Sequence, residues 1–137
     1  MLFILPFFHA FCFSAQKKEV LAVNEVIATY MGHRHIPCMF RTALCPNHCD
    51  HAHDVYVFKI NEYVKYEKLG KYGDDQETEF LWDSRASSDT NKLHPEYLQK
   101  VKDLEIGQMV KINWNHFYIT DENGAYPERS VIYFEQL

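Results

Sequence analysis

The sequence predicts an all-β domain with one short helix, its five strands curled into a small barrel. Three observations predict it. Aromatic residues make up 15% of the 137, with nine Tyr and ten Phe, a composition suited to pleated, half-buried strands. Two stretches, 53–66 and 109–120, alternate apolar and polar residues with a period of two. One segment instead opens with His94-Pro95-Glu96-Tyr97, where Pro at the first helical position and an acid in the first turn mark a helix start. Other classes fall away on composition. Five Gly and five Pro exclude collagen-like and low-complexity chains. A chain 47% apolar and 24% charged folds. A net charge of −5 counts against a nucleic-acid partner, whose binders are basic.

The elements follow in order. Residues 20–35 begin with short apolar runs and form a long first strand. Residues 36–52 have no regular period and contain Pro37 and Pro46, so they form a loop. Residues 53–66 form the second strand. Tyr56, Phe58, Ile60, Val64 and Tyr66 are assigned to one face, and Val55, Val57 and Tyr63 to the other. Gly70 and Gly73, followed by Asp74 and Asp75, make a turn. Residues 77–82 are a third, short strand, and 84–92 a polar loop. His94 caps the helix, Tyr97, Val101 and Leu104 repeat at helical spacing, and Gly107 ends the segment. Along 109–120, Val110, Ile112, Trp114 and Tyr118 share a face. Asp121-Glu122-Asn123-Gly124 is a hairpin turn, and 129–137 is the last strand.

Three strands, a helix, then two strands is an order that resembles the OB-fold, a five-stranded Greek-key barrel with its helix between the third and fourth strands. The resemblance implies a single OB-like domain over residues 15–137. It also implies that the first and last loops, 36–52 and 121–129, flank a binding face. A two-sheet β-sandwich is the alternative architecture. The fold alone implies no function.

Residues 1–14 read MLFILPFFHAFCFS and carry no charged side chain. They are shorter than the roughly 20 apolar residues of a membrane-spanning helix. They fit the apolar region of a signal peptide, with Cys12 and Ser14 as the small residues before a cleavage point. The expectation is an extracytoplasmic protein, periplasmic or secreted, that meets a membrane only if this segment stays attached. Of the four Cys, the mature chain would keep Cys38, Cys45 and Cys49. An odd number of thiols in an oxidising compartment leaves one without an internal partner. That thiol must be buried, joined to another chain or bound to a metal.

Residues 33–53 read HRHIPCMFRTALCPNHCDHAH and hold those three Cys together with His33, His35, His48, His51 and His53. Thiolate and neutral imidazole are the donors that bind zinc and copper. The densest part runs from Cys45 to His53, and Pro46 stiffens it, which reduces the entropy lost on binding. Cys38, Cys45, Cys49 and one of His48, His51 or His53 supply a Cys3His set for zinc. His33 and His35 leave the first strand beside the loop and complete or shield the site.

Two resemblances bear on copper. The Cys45-x3-Cys49 spacing resembles that of thioredoxin-fold copper chaperones for cytochrome oxidase. The longer Cys45-x3-Cys49-x3-His53 spacing is similar to the dinuclear copper loop of cytochrome oxidase subunit II. Tyr56 stands where that family has Met, and the loop lies near the start of the domain rather than the end. What carries over is a metal shared by Cys45, Cys49 and His53. A wider pattern, G-x-R-H-x-P-C at residues 32–38, T-A-L-C-P-x-x-C-D-H at 42–51 and Y-x-x-Y-E-x-x-G-x-Y-G-D at 63–74, with Pro127-Glu128-Arg129 near the end, resembles a family of small bacterial proteins. That resemblance implies one domain and no reaction.

The same sulfurs also allow a disulfide, as Cys38–Cys45, Cys38–Cys49 or Cys45–Cys49. The chain is then a non-metal binding module for a glycan, peptide or protein partner, with Trp82, Trp114, Tyr118 and Tyr133 as an aromatic face or as core. A thiol redox couple of Cys45 and Cys49 ranks below both, for want of Cys-x-x-Cys. His116 reads as an ordinary strand residue. Arg34, Arg41 and Arg129 read as strand-end ion pairs or anion contacts. The sequence has no Gly-rich phosphate loop, nucleophile elbow or His-Glu-x-x-His, so no catalytic residue is assigned.

Overall fold

In this computed structural model, residues 15–38, 52–85 and 95–137 are described. They form β1 (Lys17–Ile36), β2 (His53–Lys68), β3 (Glu79–Asp83), α1 (Pro95–Lys102), β4 (Met109–Asp121) and β5 (Gly124–Gln136). All five strands lie in one antiparallel sheet of order β3-β2-β1-β4-β5. β1 is the hinge of the topology, because it pairs with β2 along one edge and β4 along the other. Its register against β2 slips at Glu25/Val26, Ile27/Ala28 and Tyr30/Gly32, and against β4 at Val20/Ala22. Such bulges bend and twist a strand, which lets one strand of 20 residues serve a curved sheet.

The sheet does not close into a barrel: no ladder joins β3 to β5 among the described residues. The two outer strands meet through side chains instead. Trp82 of β3 and Phe134 of β5 lie edge to face, with ring centroids 5.6 Å apart. Phe58 of β2 touches both. Around them a single core gathers Val26, Ala28, Val110, Ile112, Trp114 and Val131. Leu98 and Val101 of α1 are buried in the same cluster, and Tyr97 packs on Phe134 of β5 with ring centroids 6.2 Å apart, so the helix covers the core beside β5. Glu96 in its first turn and Lys100 and Lys102 in its last complement the helix dipole. This helix is not long and apolar enough to cross a membrane.

Boundaries differ from the expectation where ladders continue past the apolar pattern. β1 starts at Lys17 because it pairs with Thr120. β5 starts at Gly124, not at residue 129, because the tight turn carries the β4–β5 ladder to Asp121↔Gly124. Gly124 takes a φ of 130° there, a conformation glycine reaches without strain. β3 is shorter than expected and starts at Glu79. The capping role expected of His94 lies outside the described residues.

Candidate functional site

The β1–β2 ladder runs to its last pair, Ile36↔His53, through His33↔Tyr56, Arg34↔Val55 and His35↔Asp54. Residues 37–52 therefore leave and re-enter the sheet at adjacent points. Cys38 follows β1 by two residues and is half-buried, and so is His53 at the first position of β2. His53 Nε2 lies 3.5 Å from Asp83 Oδ2 at the end of β3. Asp83 also accepts from Arg85 Nη2 at 2.6 Å. Burial alone would raise the Asp83 carboxyl, but the Arg85 side chain and backbone bonds hold it below the ordinary carboxylate range.

His33 and His35 are committed to the rim. The His33 ring sits 4.7 Å from that of Tyr56, and His35 Nδ1 lies 2.9 Å from Asp54 Oδ1. Arg34 reaches both carboxylate oxygens of Glu79 at 3.1 Å, the strand-end ion pair its position suggested. Cys45, His48, Cys49, His51 and Arg41 lie outside the described residues. Among the described residues no three His, Cys, Asp or Glu side chains converge as a metal site. The structure thus sets His53 in the last ladder pair and Cys38 two residues beyond it, with Asp83 beside His53 and Asp54 beside His35.

A second arrangement stands at the opposite end of β2. The chain leaves β2 at Lys68, and Leu69 N–H donates to Leu21 O at 2.9 Å. The following turn then packs on β1 so closely that Gly73 has no room for a side chain: a Cβ there would stand 2.2 Å from Leu21 O. Asp74 comes next, and every polar group it owns is used. Its N–H donates to His116 Nδ1 at 3.1 Å, and its carbonyl accepts from the Tyr66 hydroxyl at 2.7 Å. Its carboxylate accepts from Arg129 Nε at 2.7 Å and Nη2 at 2.9 Å.

One turn residue therefore ties together β2, β4 and β5. Register explains the convergence, since His116 and Arg129 are direct cross-strand partners and point to one side. His116 is 4% exposed, and its Nδ1 faces both the Asp74 N–H at 3.1 Å and the Asp74 carboxylate at 3.4 Å. Burial works to raise the Asp74 carboxyl, but the two bonds and the charge of Arg129 hold it below the ordinary 3.8.

This clamp walls a cavity of about 600 Å³ lined by Glu19, Leu21, Tyr72, Tyr118 and Pro127 together with Asp74, His116 and Arg129. Glu19, Tyr118 and Pro127 form one row across β1, β4 and β5. The sequence predicts a simple reversal at the Gly-Asp turn and a plain strand residue at His116. Cross-strand register sets His116 opposite Arg129, but nothing local ties these to Asp74. The proposed aromatic face divides differently: Trp82 and Trp114 are core, whereas Tyr118 and Tyr133 are exposed. No family model, no curated protein and no solved structure matches this chain.

Proposed function

We propose that the chain is an exported β-sheet protein that binds a transition metal ion, zinc ahead of copper, at the loop between β1 and β2. The observation that carries this reading is the ladder ending at Ile36↔His53. It sets Cys38 and His53 at the two feet of a loop whose sequence supplies Cys45, His48, Cys49 and His51. A loop closed at its feet loses less entropy when its donors gather on an ion. Asp83 beside His53 is the type of carboxylate that orients a ligating imidazole. Cys45 and Cys49 are the first ligands in this reading, with Cys38 and His53 next and His51 and His48 after them. The uncharged residues 1–14 support the export part.

The test is titration of reduced, chelator-stripped protein with Zn²⁺ and with Cu⁺. One tight equivalent is expected, with Cys45 and Cys49 protected from alkylation in its presence. Cys45→Ser and His53→Ala should each abolish stoichiometric loading. Absence of saturable binding, or thiols alkylated equally with and without metal, would overturn the proposal in favour of a disulfide-pinned binding module.

A further inference from the structure

We infer that the cavity beside Asp74 is a binding site for an alkylammonium group carried on an apolar stem, independent of the metal loop. Size comes first: about 600 Å³ falls in the range of small-ligand sites. Shape comes next. Leu21 and Pro127 offer apolar surface, and Tyr72 and Tyr118 offer aromatic rings. Charge then selects the ligand. The lining holds the carboxylates of Glu19 and Asp74 against the one guanidinium of Arg129.

Arg129 is spent on Asp74 through two short bonds, and His116 turns its Nδ1 to the same residue. Glu19 is left as the uncompensated charge, with no ion-pair partner among the described residues. Its neighbour Lys18 turns away, with Nζ 4.0 Å from the centre of the Phe117 ring and 3.8 Å from Glu128. Glu19 and Tyr118 are direct cross-strand partners, so a carboxylate and an aromatic ring stand side by side at the mouth. That pairing attracts a cation twice, by charge and by the ring quadrupole. Lys71 Nζ, 5.8 Å from the Tyr72 ring, already makes a contact of this kind at the same rim.

An alkylammonium group could come from a free diamine or from a lysine side chain of another protein. The test is calorimetric titration of the full chain with cadaverine and with N-acetyl-lysine methylamide, with glutarate and 1-pentanol as controls. Saturable binding of the ammonium probes is expected, and none of glutarate. Glu19→Gln should weaken it about fivefold, the scale of one partly exposed ion pair. Tyr118→Leu should weaken it by about as much, while Tyr118→Phe should not. Glu19 and Tyr118 are both exposed, so unchanged melting temperatures separate lost binding from lost fold. Tighter cadaverine binding identifies a free amine, and tighter binding of the lysine derivative a protein partner. No saturation by either probe, equal binding of glutarate or 1-pentanol, or an unaffected Glu19→Gln variant would overturn the inference.

Discussion

Arg129 and Asp74 make two bonds at 2.7 and 2.9 Å in a half-buried setting, where a charge-assisted pair contributes more than one on the surface. Arg129→Gln should therefore cost about 2 kcal/mol of stability, read as a lower urea midpoint with an unchanged slope. The pair also sets an acid limb. The folded carboxyl of Asp74 lies below its ordinary 3.8, so folding favours the ionised form. Its contribution is complete above the unfolded value and disappears as pH falls through the folded one. Asp83, lowered by Arg85, adds to the same limb. Acid unfolding of Asp74→Asn should show a shallower dependence on pH below about 4 than the wild type. An identical acid limb in the variant would mean that Asp74 is not engaged with Arg129 in solution.

At the level of elements, the connection between β2 and β3 depends on one close approach. Gly73 lies against the Leu21 carbonyl, and that neighbour is backbone, which cannot swing aside. Gly73→Ala should cost about 2 kcal/mol through the displaced turn and should also loosen Asp74, its immediate neighbour. Tryptophan fluorescence against urea measures the first effect, and faster exchange of the Asp74 amide the second. Retained protection of that amide would contradict the account. The β1–β2 hairpin presents the opposite case. Its ladder persists to Ile36↔His53, so the two ends of the intervening segment are set by strand pairing.

For the whole molecule, the extent of the core predicts how metal removal acts. Among the described residues Trp82, Phe58, Ile112, Val26, Val101, Val110 and Val131 are all fully buried, and every one of them comes from a strand or the helix. Chelation should therefore lower the melting temperature, by mass action, and leave the far-ultraviolet circular dichroism of a β-protein intact. This separates the chain from small domains that unfold without zinc.

Much of this architecture was legible in the sequence. Alternation along β4 holds from Val110 to His116 and then changes phase, so Phe117 and Ile119 are buried and Tyr118, expected on the face of Trp114, is exposed, while Asn123-Gly124 and Pro95 announce the last hairpin and the helix. The open seam was not legible, because whether β3 and β5 pair depends on how far bulges bend β1, and bulges leave no period. Asp74 was invisible as a tie for a related reason. Its partners His116 and Arg129 stand 42 and 55 residues away, and only register brings them to it. Of the loop donors, identity and spacing are legible in the sequence, and the structure adds that the ladder beside them ends at Ile36↔His53.

The proposed function requires an ion on the loop between β1 and β2. Elemental analysis of untagged, natively purified protein tests it most directly. The account predicts close to one zinc or copper per chain, lost in Cys45→Ser. A metal-free protein whose three mature sulfurs titrate as one thiol and one disulfide would contradict it.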